Sequence, residues 1–104
     1  MYQKDLKIKK IFSIALENHQ KNNFKEAEDL YKEILKLNPN HADVHNNLGL
    51  IFQESGERKK AIGCYQKAIQ IKPDNADSYS NLGLIFQELR EHQKAMGCYE
   101  KAIQ

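Results

Sequence analysis

Apolar residues recur at helical spacing along nearly the whole chain. Val44, Leu48, Ile51 and Phe52 occupy positions i, i+4, i+7 and i+8, one stripe on an α-helix. Ala61, Ile62, Tyr65, Ala68 and Ile69 form a second stripe. Between the two, Ser55-Gly56 is a turn signal, because glycine takes the left-handed conformation that ends a helix without steric cost. Two amphipathic helices joined by a short turn make a helical hairpin. Asn40 and Asp74 directly follow Pro39 and Pro73 and precede Asp43 and Asp77 by three residues. That arrangement suits an N-cap with an acid in the first turn. The pattern predicts helices over 5–19, 24–37, 41–54, 58–71, 75–88 and 92–104.

The spacing also repeats at long range. Pro39 and Pro73 are 34 residues apart, and the same offset relates Ala27, Ala61 and Ala95, then Tyr31, Tyr65 and Tyr99, then Gly49 and Gly83. Three windows follow, at 8–41, 42–75 and 76–104, within a single domain spanning 1–104. Laying 42–70 over 76–104 gives 29 aligned pairs with 9 differences, hence 20 identities, too many to be shared composition. A period of this size made of helical hairpins is the mark of a stacked array. Gly49 and Gly83 lie inside helices, where glycine costs about 1 kcal/mol relative to alanine. They recur with Ala61, Ala68, Ala95 and Ala102, so the expectation is small residue against small residue, with Phe52, Tyr65, Phe86 and Tyr99 filling the space beside the contact.

Asn47-Leu48-Gly49-Leu50-Ile51-Phe52, followed by Ala61, Tyr65, Ala68 and Pro73, resembles the tetratricopeptide repeat pattern. The likeness extends over 8–104 and is weaker in the first window, where Ala15 replaces the glycine and Asn18 the phenylalanine. It implies an all-α solenoid of three helix-turn-helix units forming a right-handed superhelix, its concave face lined by the first helix of each unit. It further implies a protein-protein interaction module that binds extended peptide segments in that groove. The groove residues carried across are Asp43, Asn46, Asn47, Leu50 and Gln53 in the second window, and Asp77, Asn81, Leu84 and Gln87 in the third. Leu16 is the first-window counterpart of Leu50 and Leu84, with Lys9, Phe12, Ser13 and His19 beside it.

Asn47 and Asn81 repeat a side chain that both donates and accepts, able to hold a peptide C=O and N–H together. They read either as such a ladder or as solvated polar positions. Similarity to the repeat arm of O-linked N-acetylglucosamine transferases favours the ladder, although Ser13 interrupts it in the first window. The same similarity supplies the alternative function, a substrate-recruiting arm of a larger glycosyltransferase. Leu16, Leu50 and Leu84 read equally as an apolar line for ligand or as packing between hairpins.

Charge selects among ligands. The chain has 16 Lys+Arg and 14 Asp+Glu, a formal net charge of +2, too little to imply nucleic acid as a partner. The groove differs, because Asp43, Glu54, Asp77 and Glu88 oppose Lys9 alone, four negatives and one positive for a net of −3. Neutral or basic peptides are therefore the expected ligands, and a clamp for acidic C-terminal tails is not, since the lysines and arginines it needs are missing. Lys4, Lys7, Lys9 and Lys10 concentrate positive charge near the start, where a solvated helix end is favoured over a polyanion patch.

No catalytic constellation and no cofactor site emerges from the four histidines, two cysteines and fourteen acids, so no enzyme activity is expected. His41 and His45 stand at i, i+4 without a third ligand, so no metal is expected. Cys64 and Cys98 hold equivalent places 34 apart and read better as small buried fillers than as a pair. The absence of a long apolar run excludes a membrane span and places the protein in the cytoplasm. At the far end, Met96 and Ile103 align with Ile62 and Ile69. Together with surface around Ile85 they are expected to face water and to drive self-association through the third window. Leu89-Arg90 replaces Ser55-Gly56, so the last hairpin lacks the glycine breaker, and fused or exchanged final helices become an alternative to a closed turn.

Overall fold

The computed structural model describes residues 2–104, as six α-helices with no strand among them. They are α1 (Tyr2–Gln20), α2 (Phe24–Leu37), α3 (Ala42–Glu54), α4 (Arg58–Ile71), α5 (Ala76–Glu88) and α6 (His92–Ala102). Consecutive helices pair as hairpins α1–α2, α3–α4 and α5–α6, which stack into a solenoid with extents of 44 × 27 × 18 Å. No described helix is long and apolar enough to cross a membrane.

Each hairpin closes the same way. Asn22, Gly56 and Arg90, 34 residues apart, take left-handed φ values of 64°, 79° and 62°. The third turn is thus a true hairpin turn without glycine, and α5 and α6 do not fuse. In each turn the following amide returns to a carbonyl of the last helical turn: Asn23 N–H to Asn18 O, Glu57 N–H to Phe52 O and Glu91 N–H to Phe86 O, all at 2.8 Å. This is the hydrogen-bonded closure that a left-handed residue permits.

The caps lie one residue later than the sequence suggests. His41 Nδ1 accepts from Val44 N–H at 3.3 Å, and Asn75 Oδ1 accepts from Ser78 N–H at 3.1 Å. Asn40 instead donates its backbone N–H to Asn38 Oδ1. An acceptor at the residue just before the helix reaches the third helical N–H, and Asn40 and Asp74 stand one place too early to do so.

The glycines of α3 and α5 make room for a ring, in place of the small-on-small contact expected. A Cβ added to Gly49 would lie 2.5 Å from the Tyr65 ring, and one added to Gly83 would lie 2.7 Å from the Tyr99 ring. Ala61, Tyr65 and Ala68 are fully buried, so α4 presses on α3 along its whole small-residue face. One continuous core results, from Ile8 and Ala15 through Tyr31, Val44 and Ile51 to Tyr65, Ile85 and Cys98.

Candidate functional site: the face of the first helices

The candidate groove is carried by α1, α3 and α5. Between α1 and α3 lies a cleft of about 340 Å³ lined by Ile8, Lys9, Phe12, Ser13, Leu16, His41 and Asp43. The Phe12 ring stacks on His41, with centroids 5.4 Å apart and planes at 21°. His41 is itself held by its capping bond to α3, so this wall of the cleft is fixed to both hairpins. Lys9 and Asp43 set opposite charges at its rim. The cleft is thus apolar at its base, able to take a hydrophobic side chain, and polar where a peptide backbone would leave it.

The other expected groove residues divide into free and committed groups. Asp43, Asp77 and Leu84 are exposed, and Leu16, Asn47 and Asn81 are half-buried. Leu50 is half-buried and packs against the core. Asn46 does not face a ligand: it is buried, and its Oδ1 accepts from Ser78 Oγ at 2.8 Å and from Asn81 Nδ2 at 3.2 Å. The reason is position, since Asn46 lies at the seam where α5 crosses α3. Asn81 thereby gives up part of its donor capacity.

Gln53 and Gln87 are also occupied. Tyr65 Oη donates to Gln53 Oε1 and Tyr99 Oη to Gln87 Oε1, both at 2.7 Å, while His19 Nδ1 meets Tyr31 Oη at 3.2 Å in the equivalent place. Sequence reasoning missed this clasp between the two helices of each hairpin. Its signal was present, as a polar residue twelve before the tyrosine in all three windows. Burial pushes the Tyr31 and Tyr65 hydroxyls up from their usual range, with the Asn47 amide partly countering the effect at Tyr31. Glu88 is drawn toward Arg58, with Nε and Oε1 3.7 Å apart, which leaves Asp43, Glu54 and Asp77 against Lys9 on the candidate face.

Ile85 is the clear correction among the residues assigned to the end surface. It is 0% exposed, whereas Met96 and Ile103 are 59% and 86% exposed. Its first-window counterpart Glu17 is exposed on α1, against whose outer side no described helix packs, so this position faces back toward the preceding hairpin. His45 is also committed, its Nε2 lying 2.9 Å from Pro39 O. Among the described residues no three of His, Cys, Asp and Glu are grouped as metal ligands would be. Burial raises the Cys64 thiol to about 11 and pushes Cys98 up as well.

Comparison with known proteins agrees with the stacked hairpins. A model described as "TPR repeat" matches 16–56 and 54–89, and one described as "Tetratricopeptide repeat" matches 76–104. A crystal structure of MamA superposes with a TM-score of 0.86 at 28% identity, covering 92% of this chain and 56% of that one. The Sgt2 TPR domain from Aspergillus fumigatus superposes with a TM-score of 0.85 at 25% identity, covering 93% and 64% respectively. The chain therefore spans little more than half to two thirds of the length of these structures. No curated protein sequence matches it. Repeat models covering most of the chain, on hairpins that repeat every 34 residues, make it a member of the tetratricopeptide repeat family.

Proposed function

We propose that the chain, a protein-interaction module by family, binds extended peptides of neutral or basic character across α1, α3 and α5, in a cytoplasmic setting and without chemistry of its own. The observation that supports this most is the α1–α3 cleft, where Phe12 and Leu16 offer an apolar seat beside the exposed carboxylate of Asp43. A peptide inserting one apolar side chain there runs on past Asn47 to Asp77 and Leu84. Its backbone meets amides, and its basic side chains meet carboxylates. Each neutral hydrogen bond contributes about 0.5–1.5 kcal/mol net, and with Asn46, Gln53 and Gln87 internally bonded the rungs are few. Micromolar or weaker affinity follows. Titration of neutral, basic and acidic peptide pools against the chain, Asn47→Ala and Asp43→Lys tests the reading. Basic peptides are expected to bind the parent best and to weaken in both variants. A preference for acidic peptides, or affinity untouched by either change, overturns the groove assignment.

A further inference from the structure

A second cleft, of about 530 Å³, lies at the seam between the second and third hairpins, and none of the groove candidates lines it. It is built from the first turn of α4 and the C-cap of α5. Ile62 and Leu89 supply its apolar part, and Arg58, Lys59 and Lys60 stand around them with Glu57. Leu89 is 41% exposed. Ser55, its counterpart in the second hairpin, is exposed with the third hairpin stacked in place, so this position stays open in a stacked array. The cations are loosely engaged. Arg58 Nε is 3.7 Å from Glu88 Oε1 and Lys60 Nζ is 3.1 Å from Glu57 Oε1, both pairs about half exposed. Lys59 forms no ion pair among the described residues. Exposed pairs of this kind contribute little, so an arriving carboxylate can displace them. Nor do the cations serve α4 itself, whose first turn holds no acid and whose dipole disfavours positive charge there.

We propose that this cleft docks an acidic peptide segment by one apolar side chain, which lies against Ile62 and Leu89 while carboxylates beside it meet Arg58, Lys59 and Lys60. Charge complementarity selects the ligand, because three cations and one carboxylate surround an apolar seat, and a cleft focuses their field. The other hairpins act as controls. At the seam between the first and second hairpins, Glu26 and Glu28 replace Lys60 and Ile62, Phe24 replaces Arg58 and Ser55 replaces Leu89. Lys25, the counterpart of Lys59, is there paired with Asp29 at 3.1 Å. That seam has neither the positive charge nor the apolar seat. The third hairpin begins α6 with His92-Gln93-Lys94, which breaks the run of cations. Stacking of the hairpins therefore does not require Arg58-Lys59-Lys60 or Leu89, and their convergence on one cleft belongs to this seam alone. The site is separate from the first-helix groove and takes a ligand of opposite charge.

The probe is a synthetic peptide, capped at both ends, with a leucine between pairs of glutamates, titrated into the isotopically labelled chain while backbone amide shifts are followed. Shifts are expected at Gly56, Lys60, Ile62 and Leu89, and added salt should weaken binding. Lys59→Glu and Leu89→Ser alter only exposed side chains, and each is expected to weaken binding about fivefold or more. Serine in place of the peptide's leucine should do the same, a comparison that leaves the folded chain untouched. No shift at these amides, affinity indifferent to Lys59→Glu or Leu89→Ser, or equal affinity for the serine peptide overturns the proposal. So does a chain that binds phosphatidylserine vesicles but not the peptide. Asn47→Ala and Asp43→Lys are expected to leave this binding unchanged, and its loss in either variant would assign the peptide to the groove and overturn the cleft. Basic peptides titrated against Lys59→Glu read the groove alone, so either site can fail without the other.

Discussion

Two pairs of glycines separate cleanly at the level of single residues. Gly49 and Gly83 sit under tyrosine rings, whereas a Cβ on Gly63 or Gly97 meets nothing within 4 Å. Gly49→Ala therefore forces the Tyr65 ring out of a fully packed site and is expected to cost about 1–3 kcal/mol. Gly63→Ala restricts the unfolded chain and fills open space, so it is expected to gain about 0.5–1 kcal/mol. Urea denaturation of the two variants checks both signs. Cys64 adds a titration. Its proton is held more tightly in the folded state, with the thiol raised by burial from 9.0 to about 11. The folded chain thus binds more protons than the unfolded chain between those values, and stability, complete below pH 9, should fall as pH rises toward 11. The buried Tyr31 and Tyr65 hydroxyls shift the same way and steepen the loss. Thermal melts from pH 7 to 11 read it, and Cys64→Ala should flatten the early part of the slope.

Helices and hairpin order were legible because the apolar stripes have the period of an α-helix and the 34-residue offset never drifts. Less legible was whatever depends on which neighbour a side chain meets. Leu84 and Ile85 are adjacent apolar residues of similar character. Only the crossing of α5 over the preceding hairpin decides that Ile85 is enclosed and Leu84 is not. The commitment of Asn46 to Ser78 has the same origin, a contact 32 residues away that no local pattern announces. The third turn was legible as a break between 88 and 92, but without the glycine that marks the second. Arg90 adopts the left-handed conformation with no glycine to signal it, a conformation that costs a residue with a Cβ more than it costs glycine. That strain is removable. Arg90→Gly, which also loses no salt bridge among those formed by the described residues, is expected to stabilise the chain by about 0.5–1 kcal/mol. The same change at Asn22, a residue that tolerates positive φ, should give less. Paired denaturation curves decide between them.

On the scale of the whole molecule, a solenoid in which hairpins touch only their neighbours behaves as a chain of coupled units. The middle hairpin has a neighbour on each side. The third rests on α4 and α3 alone, and α6 leaves Met96 and Ile103 uncovered. Opening should therefore begin at α6 and reach α3 and α4 last. Native-state hydrogen exchange is expected to rank the amides in that order. The seam between the second and third hairpins holds a specific bond network, since Asn46 Oδ1 receives both Ser78 Oγ and Asn81 Nδ2 in a buried setting. Asn46→Ala removes the acceptor and strands the enclosed Ser78 hydroxyl, a loss of about 1–3 kcal/mol for an unsatisfied buried group. Because Asn46 bridges hairpins, the cost should fall on their coupling more than on helix formation within either one. Exchange in α5 and α6 is then expected to quicken about tenfold or more, while α1 and α2 hold their rates. Uniform acceleration along all six helices would mean that the three hairpins open as one cooperative body and that the seam is no boundary.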